Sequence, residues 1–561
     1  MTTLANRLER RHGWFALSVY LAVALVWDRA SLAHLGSVSP SGLPGDPAQY
    51  TWAFVWFPHA LFNGLSLLHT KAMWAPEGMN LAGATAVPLL SFVAAPVTYL
   101  WGPIVSYNLY AIIAPVTAAG AVYLLCRHIT RSPWAALLGG AFFGFGTYEV
   151  AQLAGHLHLF VIFCPPLVAL SVIQFLDGSI GRRRFGIQLC VLLLVQFLIA
   201  LEVFFTMSVI GALGLILAWV FGDGELRARL RSALVPIAVA YAVTLVLMSW
   251  YIVALVGATA YAKDAGRFYP TDLLSMITPM PYTWFGATNF ASISARFVAP
   301  GEDDLYIGVP MLLVLVGYLG ARWRRPLSRW LAAIAFLALL WILGSNLRVD
   351  GHNTIWLPYS LLAHLPGFDQ VLQGRVAVYF ALLCAVVLAL WLAQSRWRWR
   401  WLWGLLVVAC VLPNIINPPP SYLGTWTNPT FFTQGLYKRY LRKGENVLPI
   451  HWGWLSESPL WQAETHMYFN LASGYFTTWM PTGWRGQLTL DLWNDTPNVS
   501  RDAPLVHGLV RSKDVSVILV QDSELPGWAP VLSAAGLHPE VNVGGVTLYR
   551  IPAAWLAGRS G

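Results

Sequence analysis

Long apolar runs alternate with short polar interruptions along this chain, and the lengths of the runs set the first expectation. A membrane-crossing helix needs about 20 mainly apolar residues. Runs of that kind lie near 14–34, 105–126, 134–148, 157–176, 186–201, 203–221, 233–257, 306–321, 330–346, 375–394 and 401–417. They predict a polytopic α-helical membrane protein with about 11 transmembrane helices. One further apolar piece, AVPLLSFVAAPVTYLWG at 86–102, is punctuated by Pro88, Pro96 and Gly102, residues that interrupt a helix. It reads as an interfacial segment. After residue 418 the pattern changes: ENVLPIHWGW, DVSVILVQDS and GVTLYRIP are polar and alternating, and WAPVLSAAG (528–536) reads as a short helix between strands. That predicts a small C-terminal α/β domain. The expected division is 1–417, a transmembrane part with a large first outer loop at 35–104, and 418–561, a soluble part.

Charge placement orients the runs. Arg7/Arg10/Arg11, Arg127/Arg131, Arg182–Arg184, Arg227/Arg229/Arg231, Arg322/Arg324/Arg325/Arg329 and Arg396/Arg398/Arg400 all fall on one side of the predicted layout. Arginine-rich loops mark the cytoplasmic side, so the N-terminus is expected inside and the C-terminus outside. Counting 86–102 as a span would put Arg182–Arg184 outside, which argues against it. The tail from 418 is then extracytoplasmic.

Composition agrees with this layout. Of 561 residues 57% are apolar and 11% charged, against about 25% charged in soluble domains. The net charge of +9 sits in these loop clusters, so it signals topology and not nucleic-acid binding. Cys126, Cys164, Cys190, Cys384 and Cys410 all lie in apolar runs, which leaves no disulfide framework in the tail and no Cys-x-x-Cys site. The start, NRLERRHGW, lacks a small-residue cleavage site after its basic stretch.

Ionisable residues at membrane depth or in tight outer loops are functional candidates. Asp46 stands between Gly45 and Pro47 in LPGDPAQYTW. The following AQYTWAFVWFPHALFNG spaces Trp52, Trp56 and His59 as an amphipathic interfacial helix, for which Asp46 is either a cap or a chemical group. FGFGTYEVAQLAGHLHL (143–159) carries Glu149, His156 and His158. A His-x-His pair with a nearby acid suits a divalent metal, a base or a hydrogen-bond donor; a capping or solvated histidine is the plainer alternative. Glu202, in FLIALEVFFT, must be paired, protonated or facing an aqueous cavity. The 258–305 loop holds Lys263, Asp264, Arg267, Glu302, Asp303 and Asp304, the last three in an acidic run that is often a solvated face. Arg348 and Arg375 are arginines on the outer side. Arg375 suits bidentate contact with a lipid phosphate, or snorkelling. The tail tryptophans Trp452, Trp454, Trp461, Trp479 and Trp484 suit sugar stacking or, better, core packing. No Walker A, dinucleotide, His-Glu-x-x-His or Gly-x-Ser-x-Gly pattern occurs.

GDPAQYTW, WAPEGMNLAG, LWGPIVSYNLY and AQLAGHLHLF, with one span before a large first outer loop that opens with an acidic residue, and a soluble outer tail, resemble the C-type (GT-C superfamily) integral-membrane glycosyltransferases. Relatives in that group are the lipid A aminoarabinose transferases and protein mannosyltransferases. The resemblance covers most of 10–400 in topology. It implies a polyprenyl-phosphate sugar donor, a glycan, lipid or protein acceptor, the bilayer as partner, and a bacterial plasma (inner) membrane setting with the active site outside. Carried over, the first-loop acid is Asp46, as base or acceptor-orienting group. Related members often carry an acidic pair there, whereas Pro47 and Ala48 follow here. Glu77, Glu149 and His156 are the candidates for the second role. Glu202, Lys263, Arg267 and Arg375 are candidates for substrate binding. No cofactor is required by this reading, and a divalent metal is compatible with it. A transporter, or a lipid-linked glycan ligase or polymerase, is the rival reading.

Overall fold

Each of the eleven apolar segments contains a helix in the computed structural model, which describes residues 2–40, 45–153, 155–258, 269–286, 290–294, 297, 302, 305–414, 424–450, 452–453, 456–476 and 480–556. Among the described residues five helices are long and apolar enough to cross a membrane: Pro103–Thr130, Leu157–Leu176, Leu201–Phe221, Gly224–Leu247 and Gln373–Gln394. Others are shorter. Pro133–Gly144 has 12 residues, about 18 Å at 1.5 Å per residue. Arg182–Ile199 and Leu201–Phe221 are separated by Ala200 alone, which is extended (φ −153°, ψ 111°). That sharp break puts Glu202 in the first turn of the second helix, where the helix dipole favours a negative charge.

The chain divides into two compact units, the first of residues 1–33, 109–249 and 262–423, the second of 34–108, 250–261 and 424–561. In the first unit, Ala377–Gln394 packs against Pro133–Gly144, Val309–Ala321 and Pro326–Ile342, and Arg182–Ile199 packs against Gly224–Leu247 and Cys164–Leu176.

The second unit joins the tail to residues that the sequence reading placed in the first outer loop. Backbone hydrogen bonds make the join: Trp74 N to Ser473 O and Ala75 N to Leu471 O at 2.9 Å, and Leu471 N to Ala72 O at 2.8 Å. Val38–Ser39 also pairs antiparallel with Gly424–Thr425. The tail carries a five-stranded sheet in the order Val541–Val543, Val546–Arg550, Val517–Gln521, Asn446–Ile450, Asn470–Leu471. The last three strands are parallel, and the first two are antiparallel to their neighbours. Three of these strands lie in the segments read as strands from their alternation, and WAPVLSAAG falls mostly in the helix Leu525–Ala534.

Two expectations about the first loop need correction. The helix after Asp46 does form, as Gly45–Phe62, but 14 of its 18 residues are buried. It is apolar nearly all round, so it is a core helix and not an interfacial one. Trp52 Nε1 donates to Gln462 Oε1 at 2.6 Å, and the helices Pro88–Trp101 and Ser458–Glu464 pack on it. The prolines of 86–102 do not break that segment either. Pro88 opens the helix Pro88–Trp101, Gly102 ends it at φ 92°, and Pro96 lies inside. Its 14 residues reach about 21 Å, short of a hydrocarbon core of about 30 Å, and Val93, Tyr99, Leu100 and Trp101 are exposed on it.

Candidate functional site

In the first unit an ion-pair network gathers around Arg375. The residue lies in the short turn Gln373–Val376, which leads into Ala377–Gln394. The turn sits hard against the 302 segment: a Cβ on Gly374 would lie 2.6 Å from Glu302 O and 3.1 Å from Thr271 Oγ1. The guanidinium donates from Nη1 to Glu202 Oε2 at 2.8 Å, from Nη2 to Glu302 Oε1 at 2.8 Å and from Nε to Glu302 Oε2 at 3.1 Å. The contact with Glu302 is thus a bidentate fork. His156 Nε2 stands 3.5 Å from Glu302 Oε1. The His156 and His158 rings lie edge to face with centroids 6.4 Å apart, and His158 is buried.

The formal charges of Arg375, Glu202 and Glu302 sum to minus one. The arginine is therefore held by carboxylates, not left open to the solvent. Glu149, on the short helix Thr147–Leu153, is 2% exposed. Neither carboxylate oxygen has a hydrogen-bond partner among the described residues. Burial pushes its carboxyl well above the usual range.

A cavity of about 520 Å³ opens beside the same turn, with Thr271, Arg348, Trp356, His364, Phe368 and Gln373 among its walls. The loop at 346–353 on its wall is anchored by Asp272, whose carboxylate accepts from the backbone N–H groups of Leu274 (2.9 Å), Asp350 (3.3 Å) and Gly351 (2.8 Å).

The second unit holds Asp46 and Glu77. Asp46, half-buried in the first turn of its helix, accepts a hydrogen bond from Tyr475 Oη at 2.6 Å. Tyr475 in turn packs against Trp493, with ring centroids 5.9 Å apart and planes tilted by 41°. Glu77 pairs with Lys513 Nζ at 2.5 Å and accepts from Trp484 Nε1 at 3.2 Å, while Lys513 lies over the Trp484 ring. Trp74, Trp452 and Trp484 pack on one another with centroids 5.3–5.8 Å apart. Glu77, itself exposed, is thus tied to the edge of an aromatic core.

Of the residues singled out in sequence, Arg375, Glu202 and His156 come together, and Glu302 joins them. Glu302 was legible only as part of an acidic run before a span. Tyr475 carried no sequence signal, because Asp46 lies 429 residues away, and Asp272 shows in sequence only as a cap for the turn at Leu274, not as the anchor of Asp350 and Gly351. Lys263, Asp264, Arg267, Asp303, Asp304, Trp454 and Trp479 lie outside the described residues. Among the described residues no group of three or more His, Cys, Asp or Glu side chains is arranged to hold a metal ion.

A family model described as "Domain of unknown function (DUF6311)" matches residues 16–415. No curated protein matches in sequence. Among solved structures, the archaeal oligosaccharyltransferase AglB from Archaeoglobus fulgidus, in complex with an inhibitory peptide and a dolichol-phosphate, superposes with a TM-score of 0.54. The identity is 12%, over 94% of this chain and 71% of that one. The arabinofuranosyltransferase AftD from Mycobacteria superposes with a TM-score of 0.59 at 13% identity, over 96% of this chain and 40% of that one. Both are GT-C glycosyltransferases, and at such identity the likeness shows a shared fold.

Proposed function

Taking as premise that the chain belongs to the DUF6311 family and has the fold of the GT-C glycosyltransferases, we propose that it is a membrane glycosyltransferase. It moves a sugar from a polyprenyl-phosphate donor to an acceptor on the extracytoplasmic face. The observation that carries this reading is the fold shared over 94–96% of the chain with two sugar-transferring enzymes, one of them in complex with a dolichol-phosphate.

A sugar phosphate ester already has a good leaving group, so protonating the leaving oxygen is not essential. The demanding tasks are to hold the acceptor hydroxyl in line and to remove its proton. Asp46 is the proposed base. Its carboxylate is half-buried and oriented by Tyr475. The acceptor oxygen bonds to the anomeric carbon as the carbon–oxygen bond to phosphate breaks. The bonding pair leaves with the phosphate, and the acceptor proton passes to Asp46. A single displacement inverts the anomeric centre.

In the first unit, His156 and the buried Glu149 are the proposed further catalytic groups. Glu202 and Arg375 are the proposed substrate-binding groups. Because Arg375 is held by two carboxylates, its proposed part is to set the field and shape of the site. Lys263 and Arg267 are the proposed partners of the leaving phosphate. Glu77 is the proposed anchor that holds the first loop to Lys513 and Trp484. No step here is routed through a metal.

The test is sugar transfer from a panel of synthetic polyprenyl-phosphate sugars, with the purified parent and Asp46→Asn side by side. Transfer by the parent that falls at least a hundredfold in a folded Asp46→Asn is expected, in line with the loss of a general base. Equal transfer by the two would remove Asp46 from the chemistry.

A further inference from the structure

The tail contains nine tryptophans at 426, 452, 454, 461, 479, 484, 493, 528 and 555. Trp426, Trp452, Trp461, Trp484 and Trp528 are buried and serve as core. Among the described residues Trp493 and Trp555 are half-open. Trp555 packs on His507, away from any candidate acid. Trp493 instead packs on Tyr475, and Tyr475 donates its hydroxyl proton to Asp46. The Trp493 backbone is held from behind by Gly453: that residue has φ 90°, and a Cβ there would run into the Trp493 carbonyl oxygen. The backbone that carries the ring therefore has no room to move toward Gly453.

From this geometry we propose that Trp493, backed by the buried Tyr475, forms the acceptor subsite of Asp46, and that the acceptor is a saccharide. The inference deepens the transferase reading and rests on it for the role of Asp46. The argument is chemical. A sugar ring offers apolar C–H faces and a rim of hydroxyls. An indole open on one face binds them, because an aromatic ring carries a negative π-cloud that attracts polarised C–H groups. A carboxylate held by the same tyrosine that backs the indole accepts hydroxyl protons. Tyr475 is buried: its ring backs the indole and its hydroxyl orients the base. A peptide acceptor would need backbone partners, and a plain lipid alcohol would need an apolar channel. Neither need is met by a half-open indole linked to a carboxylate through Tyr475.

The experiment uses the full-length protein in nanodiscs with no lipid-linked donor. The probes are a panel of neutral di- and trisaccharides of hexoses and pentoses, titrated by calorimetry and by tryptophan fluorescence. Parent and Asp46→Asn are both expected to bind, because stacking survives that change. Trp493→Ala is expected to weaken binding about tenfold, the size of one lost aromatic contact. Trp493→Met, which fills the space without a flat ring, guards against misfolding and is expected to weaken binding as much at unchanged melting temperature. Binding that is unaffected in the Met variant, or no binding of any probe by the parent, would overturn the proposal. Saccharide binding that depends on Trp493, with no transfer from any polyprenyl-phosphate sugar, would leave this subsite standing and sink the transferase reading. Transfer to a non-saccharide acceptor without saccharide binding would do the reverse.

Discussion

Replacing Arg375 by methionine removes the guanidinium and keeps most of the stem. In the parent, three short hydrogen bonds tie it to Glu202 and Glu302, and none of the three side chains is more than 15% exposed. At an effective dielectric of about 20, each carboxylate about 4 Å from the guanidinium interacts by about 4 kcal/mol before desolvation is counted. Losing the cation leaves two carboxylates together in a weakly hydrated place, and breaking such a pair costs about 3–5 kcal/mol. We expect Arg375→Met to lose about 4 kcal/mol of stability, read by denaturant titration in mixed micelles with tryptophan fluorescence. The double variant Arg375→Met/Glu302→Gln removes one of the stranded charges and is expected to recover about 2 kcal/mol. Arg375→Lys keeps the charge but not the two-pronged contact, so it should fall in between. A loss within about 0.5 kcal/mol, the range of a solvated surface pair, would refute the reasoning. So would a double variant as damaged as the sum of its parts.

The remaining expectations concern the second unit. Tyr475→Phe removes the hydroxyl that holds the Asp46 carboxylate in place, so sugar transfer should fall about tenfold, the size of one hydrogen bond to a charged group, at unchanged melting temperature; undiminished transfer counts against Tyr475 as the group that orients the base. Glu457 is buried, with Thr427 N–H on one oxygen and no partner for the other among the described residues, and burial raises its pKa from 4.5 to about 7. The folded state then binds more protons than the unfolded one between those values, so its contribution favours folding below the unfolded pKa and is lost as pH rises toward 7. That amounts to roughly 3 kcal/mol, and Glu457→Gln should flatten the dependence of melting temperature on pH from 5 to 8, a flattening that calorimetry would detect. Gly453→Ala forces a Cβ into the Trp493 carbonyl at φ 90° and should cost about 1–3 kcal/mol; acceptor affinity measured in the same variant should fall with it.

Sequence alone located the helices, because an apolar run long enough to cross a bilayer has few alternatives in water or lipid. It also located the principal tail strands, where β-branched residues alternate between turns. Burial around the helix Gly45–Phe62 was not legible. Its apolar circumference fits a membrane surface as well as a core, and the residue that satisfies Trp52 is Gln462, 410 positions away. The same distance problem hid the partners of the candidate acids. Arg375 was visible as an outer arginine, but its carboxylates lie 173 and 73 residues upstream. Glu302 sat in an acidic run, where neighbouring charges disguise which one is paired. Charge counting along a chain reports topology. It does not report which charges meet.

Asp46 and Tyr475 are separated by 429 residues. For a free chain the length-dependent part of closing such a loop is about 5 kcal/mol, whereas one hydrogen bond to a charged group contributes about 1.5–3 kcal/mol. The contact therefore cannot be what brings the two ends of the sequence together. That work falls to the backbone pairing at 72–75 with 471–473, the strand pair at 38–39 with 424–425, and the buried indoles of Trp52 and Trp74. Each indole buries enough apolar surface to outweigh the closure term only in company with the other. It follows that the hydroxyl of Tyr475 is free to be tuned to chemistry without putting the fold at risk. Removing it should change how Asp46 behaves and leave the assembly of the second unit intact, whereas cutting the backbone pairing should undo both together.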